Sequence, residues 1–223
     1  MIYEDYYSRV VSALVVGRTL EVGGGSGNLT TFVPDVISTD ILPAPWLSAA
    51  CDGQALPFAN ECFSNVVGVD VLHHIERPRR FFAEAQRVLA RGGRIVLIEP
   101  AITPISRLLY RWFHPESIDM NADPLADGPL DPHREPFDAN QAIPTLLWGT
   151  HRHRFTEMFP RLRINHVGYI SLMAYPLSGG FRAWSLIPSA AIPWLLNVER
   201  VMAPVIGRLT AFRVMAVLEK SSE

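Results

Sequence analysis

The sequence has few of the features that mark nucleic-acid-binding or secreted proteins. Its 20 basic and 22 acidic residues give a net charge of -2, and lysine and arginine form no long run. A nucleic-acid partner is therefore not expected, because such partners select basic patches. The two cysteines, Cys51 and Cys62, form no CxxC pair, which favours a reducing compartment. Charged residues stand near the N-terminus, where a signal peptide needs an apolar core, so we expect a cytoplasmic protein.

Long apolar runs are also missing. The longest uncharged run in the apolar C-terminal region covers residues 183–198, which is shorter than a membrane span and contains two prolines. A transmembrane helix is therefore not expected. What the chain does have is 223 residues, of which 48% are apolar, and this is enough to fill the core of one sizeable domain. We expect a single domain over residues 1–223.

Short apolar runs alternate with one clear helical pattern. The runs are rich in β-branched residues, which predicts strands. They read RTLEVG (18–23), VISTDI (36–41), SNVVGVDVL (64–72) and GRIVLIEP (93–100). Between the last two runs, apolar residues recur at helical spacing; they are Phe81, Phe82, Ala85, Val88 and Leu89. Near-continuous apolar strands joined by a crossover helix predict a doubly wound α/β fold with a mostly parallel sheet.

The first run leads into the stretch LEVGGGSGNLT at residues 20–30. Glycine costs backbone entropy, so four glycines here suggest that a ligand approaches the backbone or that the chain turns tightly. In open α/β sheets, ligands bind beyond the carboxyl ends of the strands, where this cluster lies. A nucleotide-like cofactor is therefore expected. The GxGxxG pattern of dinucleotide sites is not met, since its third glycine position falls on Asn28 or Thr30.

An acidic residue followed by alternating glycines resembles motif I of the class I S-adenosylmethionine-dependent methyltransferases. The residues are Glu21, Gly23, Gly25 and Gly27. Three further segments follow in that family's order, namely Asp40 after the second strand, CDGQALPF at 51–58, and residues 69–100, which resemble the methyltransferase type 11 subgroup. The resemblance implies a Rossmann-like, seven-stranded sheet with an antiparallel last strand, and S-adenosylmethionine as the cofactor.

The resemblance also implies a role for each segment. The glycines would let the backbone approach the amino-acid end of the cofactor, and Glu21 would support their loop. Asp40 would hold the ribose hydroxyls, while Asp52, Gly53 and Gln54 would meet the adenine. Asp40 is equally typical of a helix cap and Asp52 of an Asx-turn, so both have a structural alternative. We also expect a helix at NLTTFV, directly after the glycines, whose free amides would favour the cofactor carboxylate.

Methyl transfer itself needs few protein groups. The sulfonium already makes the methyl group electrophilic, so holding the acceptor close and aligned supplies most of the effect. A base is needed only if the acceptor carries a proton on its reacting atom. His73 and His74, directly after the strand at 64–72, are the candidates. The alternative is that one histidine packs beneath the site and the other lines it without moving a proton.

Residues 112–137 form a long irregular stretch, and such stretches in compact domains are usually functional or mobile. We predict a lid over the acceptor pocket, followed by a helix that Asp138 caps. Candidate polar contacts, each of which has the alternative of a solvated loop residue, are His114, His133, Arg134, Asn140 and Gln141. His151 and His153 share a face only in an extended chain and lack nearby cysteine or carboxylate partners, so no metal site is expected.

The runs RLRINHVGYISL (161–172) and TAFRVMAVLEK (210–220) are predicted to be the last two strands, and an apolar insert, residues 171–208, separates them. It contains Trp184 and Trp194, and its prolines predict short helical pieces with Glu199 and Arg200 on the solvent side. Three interpretations stay open: extra core, a subunit interface, or contact with an apolar acceptor or a membrane surface. Core or interface is favoured.

The function expected from the sequence is methyl transfer from S-adenosylmethionine to a small-molecule or a lipid- or glycan-linked acceptor. The alternatives are a non-catalytic module that binds the cofactor and, from another enzyme class, an oxidoreductase with a nucleotide cofactor. Oxygen, nitrogen and carbon acceptors all stay open, because fold does not fix function. A homodimer also stays open, as does peripheral membrane contact, which is the less favoured of the two.

Overall fold

The protein is built on one central sheet. The structure is a computed structural model, and it describes residues 1–179 and 185–222. The strands are β1 (Thr19–Val22), β2 (Val36–Asp40), β3 (Ala49–Ala50), β4 (Phe63–Val69), β5 (Leu89–Pro100), β6 (Leu162–Ile170) and β7 (Arg213–Lys220). They lie in the order β3-β2-β1-β4-β5-β7-β6. Pairing is parallel except that β7 is antiparallel to both of its neighbours, β5 and β6. The fold class predicted from the sequence is confirmed.

Helices cover both faces of the sheet. They are α1 (Ile2–Ala13), α2 (Pro78–Val88), α3 (Pro104–Phe113), α4 (Ile143–Trp148), α5 (Arg152–Met158), α6 (Ala174–Leu177) and α7 (Ile192–Thr210). Strand β5 shows how the two layers form, because its side chains alternate between faces. Leu97 packs with Phe81 and Phe82 of α2 on one face, and Val96 packs with Tyr6 of α1 on the other. This double burial explains the near-continuous apolar strands.

The chain after the glycine cluster differs from the prediction. Instead of a helix over NLTTFV, residues Asn28–Thr31 form one 3-10 turn. The hydroxyl of Thr30 donates to the Gly27 carbonyl at 2.7 Å, and β-branched threonines have low helix propensity. Pro34, which follows shortly, cannot donate the backbone hydrogen bond that an extended helix would need. The expected helix N-terminus is therefore absent, and cofactor contacts fall to the loop itself.

The apolar insert also differs from the prediction. Most of it is a single helix, α7, of 19 residues, with Pro193 in its first turn and Pro204 inside it. Glu199 is buried rather than on the solvent side, and its Oε1 accepts hydrogen bonds from the backbone amides of Met173 and Ala174. A buried carboxylate satisfies these two donors at the start of α6, which hydropathy alone does not reveal.

Two further predictions concern the insert and the lid. Trp184 lies outside the described residues. Trp194 is 68% exposed, whereas Ile192 and Leu196 of the same helix are buried in a core cluster, so this part of α7 adds to the core on one side only. Asp138 does not cap a helix; its Oδ2 accepts from the Glu135 amide at 3.0 Å within the preceding loop, and α4 starts later, after Ala142. In the described part of the chain, no helix combines the length and apolar character that crossing a membrane needs.

Candidate active site

A cavity of about 430 Å³ opens at the carboxyl ends of β1, β2 and β4. Most residues that the sequence assigned to the cofactor line it, together with one candidate base: Glu21, Gly23, Gly25, Asp40, Asp52, Gly53, Gln54 and His74. Two predicted site residues, Gly27 and His73, lie behind the lining. The topology explains the convergence, since parallel strands bring their carboxyl ends to one edge of the sheet.

The glycine loop is shaped by close packing at one position and by open space at another. Gly23 has a φ of 71°, and a Cβ there would lie 2.3 Å from Val71 Cγ2. Gly25 has a φ of 45° and nothing within 4 Å of the place a Cβ would take. Gly23 is thus required by the fold. Gly25 instead leaves its backbone bare on the cavity side, where a ligand can approach it.

Asp40 already holds this loop. Its Oδ2 accepts from the Gly25 amide at 2.9 Å, and its Oδ1 accepts from the Leu42 amide at 3.0 Å. The indole of Trp46 donates to the Gly25 carbonyl at 2.8 Å and also packs where a Cβ on Gly27 would lie, 2.8 Å away. Gly27 therefore makes room for the tryptophan that clamps the loop.

Glu21 is buried at the end of β1, although it also borders the cavity. Burial raises the pKa of its carboxyl group to about 7, against the opposing effect of a hydrogen bond from Ser38 Oγ. Ser38 and Glu21 together fill the space beside Gly24, where a Cβ would lie 2.2 Å from Ser38 Oγ. Glu21 thus supports the loop and titrates near neutral pH.

The predicted adenine segment forms a compact turn. Asp52 Oδ1 accepts from the Gln54 amide at 2.8 Å, which is the Asx-turn noted as an alternative. Gln54 Oε1 in turn accepts from the Arg77 amide at 2.8 Å. A Cβ on Gly53 would lie 2.9 Å from Val22 Cγ1, so this glycine lets the turn pack on β1. The turn is built without a ligand, and its role toward adenine stays a prediction.

A second group of polar side chains lines the cavity from α1 and from the end of β4. Asp70 follows β4 with a φ of 56°, an uncommon backbone conformation for a non-glycine residue. Its Oδ2 accepts from the Tyr3 hydroxyl at 2.9 Å, and its Oδ1 pairs with the buried guanidinium of Arg213. Tyr3, Tyr7 and Asp70 all line the cavity. Sequence reasoning missed these residues, although Asp70 ends an apolar strand, which is a detectable signal.

The two candidate histidines have different surroundings. The ring centroids of His73 and His74 are 4.2 Å apart. Burial alone would lower the pKa of His73, but hydrogen bonds to Glu116 and Glu99 outweigh it and raise the pKa to about 9. The pKa of His74 is lowered by its burial and by its neighbour His73. In the described chain, the buried His74 Nδ1 has no hydrogen-bond partner.

Glu116, which the sequence did not single out, ties the predicted lid to the histidines. Its Oε2 lies 3.4 Å from His73 Nε2 and accepts from the Gln141 amide group at 3.0 Å. Burial opposes ionisation of Glu116, but the hydrogen bonds from His73 and Gln141 lower its pKa to about 2. Ligand atoms of His73, His74 and Glu116 lie within 4.8 Å of one another, a spacing that a divalent ion could bridge. Gln141 already fills part of this cluster and also contacts His114 Nδ1, at 2.7 Å.

The predicted lid lies at the mouth of the cavity. Arg134 lines the cavity and donates to the carbonyls of His74 and Asp138, each at 2.9 Å. Phe137, also in the lining, is 74% exposed. Of the other polar candidates, His114, Asn140 and Gln141 hold the loop from behind, and His133 is exposed outside the lining.

Comparison with known proteins shows what the chain resembles. The sequence profile of the Methyltransferase domain family matches residues 20–97. A SAM-dependent methyltransferase from Archaeoglobus fulgidus has a similar structure, with a TM-score of 0.57 and 13% identity over 98% of this chain and 93% of that one. Residues 20–97 thus match the methyltransferase domain family, and the solved structure shares the fold of this chain. These findings support the expected family, enzyme class and cofactor.

Two further relatives show how far the likeness extends. A geranyl diphosphate C-methyltransferase from Streptomyces coelicolor A3(2), in complex with S-adenosyl-L-homocysteine, has a TM-score of 0.56 and 13% identity over 97% of this chain and 78% of that one. An uncharacterized protein of Methanocaldococcus jannaschii is 30% identical over 105 residues, 44% of this chain. The chain spans about half the length, 51%, of that curated relative. These likenesses do not identify the acceptor.

Proposed function

We propose that the protein transfers the methyl group of S-adenosylmethionine to a hydroxyl group of a small-molecule or a lipid- or glycan-linked acceptor, with His74 as the general base. The observation that carries this proposal is the divergence of the two neighbouring histidines. His74 lines the cavity and its pKa is lowered, so its imidazole is neutral at pH 7 and able to accept a proton.

His73 acts as the positioning partner of His74. Its Nδ1 lies 2.7 Å from Glu99, whose other oxygen accepts from the amides of Val71 and Leu72. Because its pKa is raised to about 9, His73 stays protonated at neutral pH. Adjacent groups whose environments push their pKa values apart are typical of acid–base sites. The positive charge of His73 favours the neutral form of His74.

The lining residues fit S-adenosylmethionine. The bare backbone at Gly25 leaves room where a side chain would project. Asp40 and Asp52 both line the cavity, and the resemblance assigns them to the ribose hydroxyls and the adenine amine. Gly23, Gly25, Asp40, Asp52 and Gln54 would hold it. When bound, the cofactor supplies an electrophilic methyl group on a sulfonium. The chain then has to orient the acceptor hydroxyl, exclude water and take the proton at His74.

The acceptor end combines polar anchors with apolar walls. Tyr3 and Asp70 place a hydroxyl oxygen and a carboxylate in the lining. Burial raises the pKa of the Tyr3 hydroxyl well above its usual range, so Tyr3 keeps the proton that it donates to Asp70. Leu130, Ile75 and the exposed ring of Phe137 line the mouth. A ligand with a hydroxylated group inside and a bulkier or apolar part outside matches this arrangement.

The test compares wild type with His74→Gln and the matched control His133→Gln, using tritiated methyl transfer to phenols, sugars and lipid-linked sugars. We expect His74→Gln to lower kcat by about 10²- to 10⁴-fold and to leave S-adenosylhomocysteine binding unchanged. The wild-type rate should fall as the pH is lowered, because His74 becomes protonated. The pH profile of the variant should lack this acidic limb. Full activity in His74→Gln would show that His74 is not the general base. Cofactor binding without turnover on any acceptor would favour a non-catalytic module.

A further inference from the structure

Helices α3 and α7 carry large apolar side chains on their outer surfaces. We call these residues the α3/α7 face: Ile105, Leu108 and Trp112 on α3, and Trp194, Val201, Met202, Val205 and Leu209 on α7. Trp112 is 72% exposed and Val205 is 80% exposed. Single exposed apolar residues are ordinary, but two helices with repeated ones indicate an interaction surface.

The face is a second stripe, separate from the one that packs on the core. On α7 the inward positions are Ile192, Leu196, Glu199 and Gly207. Gly207 lets the helix approach β6, since a Cβ there would lie 2.6 Å from Tyr169 Cβ. The outward residues Trp194, Val201 and Val205 recur at helical spacing on the other side. A helix that is apolar on both sides has a partner on its outer side.

The exposed charges that α3 and α7 themselves carry are all positive, and one of them, Arg200, is paired with Asp5 of α1. The exposed charged side chains of α3 and α7 are Arg107, Arg111, Arg200 and Arg208. Glu199 is the acidic residue of these two helices, and its carboxylate is buried on backbone amides. A groove of about 670 Å³ runs beside α7, and Arg9, Arg152, Arg200 and Arg208 line it. Apolar residues flanked by arginines are typical of helices that lie in the plane of a membrane interface.

We propose that the α3/α7 face docks on a bilayer surface that contains anionic lipids. The apolar side chains enter the boundary between headgroups and acyl chains, and the arginines pair with phosphates at its edge. Tryptophan is favoured at this depth, which suits Trp112 and Trp194. A second copy of the chain is the poorer occupant, because an isologous dimer would bring like-charged arginines together.

The face is connected to the acceptor end of the cavity. The last residue of α3 is followed by His114 and then by Glu116, which contacts His73. On the other side, Arg200 pairs with Asp5 of α1, the helix whose Tyr3 lines the cavity. These contacts place the face and the cavity on neighbouring elements of the fold. The inference builds on the proposed function in that a lipid-linked acceptor becomes the favoured class.

The experiment measures co-sedimentation of the full chain with vesicles of phosphatidylcholine alone and of phosphatidylcholine with 30% phosphatidylglycerol. One double variant replaces two apolar residues with polar ones, Val201→Ser with Val205→Ser. The other removes two positive charges, Arg107→Gln with Arg111→Gln. The matched controls are Val16→Ser and Arg161→Gln, which change exposed residues at the amino-terminal edge of the sheet. Binding of S-adenosylhomocysteine reports that each variant is folded.

We expect wild type and both controls to bind the anionic vesicles at low salt. Binding should be weak at high salt, and binding to the neutral vesicles should also be weak. Each arginine removed should lower the partition coefficient about fivefold, so the double variant should lose about 25-fold. The proposal is overturned if wild type prefers neither vesicle, if the face variants bind like the controls, or if light scattering shows a dimer that the Val201 and Val205 changes dissociate. Because vesicle binding is read without turnover, its failure and that of the methyl transfer are separable.

Discussion

Replacing Glu21 with glutamine should remove a specific pH dependence of stability. Glu21 is 4% exposed, and burial raises its pKa from 4.5 to about 7. A carboxyl group with a raised folded-state pKa binds its proton more tightly in the folded chain. Its contribution to the free energy of unfolding is therefore fully present below about pH 4.5 and is lost as the pH rises through about 7.

The size of this effect follows from the shift. A change of about 2.5 pKa units corresponds to about 3 kcal/mol, at 1.36 kcal/mol per unit. Glutamine resembles the protonated acid in shape and keeps an oxygen for the Ser38 hydroxyl. At pH 5 the Glu21→Gln variant should therefore be more stable than wild type by under about 1 kcal/mol, and at pH 8 by about 3 kcal/mol.

Urea denaturation at pH 5 and pH 8 checks this prediction. Glu84→Gln is the matched control, because a hydrogen bond from Arg87 lowers the pKa of Glu84 below 4.5. Its contribution is present above the unfolded-state pKa and is lost only as the pH falls, so Glu84→Gln should cost the same at both pH values. A stability difference for Glu21→Gln that does not change between pH 5 and pH 8 would refute the reasoning.

Two further predictions concern single carboxylates. If Asp40 holds the ribose, Asp40→Ala should weaken S-adenosylhomocysteine binding by roughly 1.5 to 3 kcal/mol in calorimetry, and Asp40→Asn should lose less. An effect well under 1 kcal/mol would reduce Asp40 to a support for the Gly25 amide. Glu199→Ala should cost roughly 2 to 4 kcal/mol in urea denaturation, because two backbone amides lose their acceptor. Arg200→Gln, at the neighbouring exposed position, should lower the free energy of unfolding by under about 1 kcal/mol. A larger loss for Arg200→Gln than for Glu199→Ala would contradict this account.

Most of the sheet could be predicted because its signal is local. Each strand from β1 to β5 except β3 appears as an apolar run, and the helical spacing of Phe81, Phe82 and Ala85 marks α2. β3 has only two residues, Ala49–Ala50, and its pairing with β2 carries no pattern in the sequence. The residues predicted to bind the cofactor could also be identified from the sequence, because they follow strand ends in a fixed order.

The polar groups around Asp70 and Glu116, and the packing of the insert, depend on contacts between distant residues. Asp70 and Arg213 are 143 positions apart, and Glu116 reaches His73 from a loop without periodicity. The burial of Glu199 depends on the start of α6, which lies 25 residues earlier. Such tertiary pairs override the ordinary preference of charged side chains for solvent, so no window of the sequence reveals them.

Calorimetric titration of S-adenosylhomocysteine into wild type, Gly25→Ala and Gly25→Leu tests the central claim, that the cofactor lies against the bare backbone of the glycine loop. All substitutions at this φ of 45° carry similar backbone strain of about 1 kcal/mol, and only leucine projects far into the cavity. We predict binding to wild type, weaker binding to Gly25→Ala, and none to a folded Gly25→Leu variant. Unchanged affinity in folded Gly25→Leu would contradict the assignment of the site.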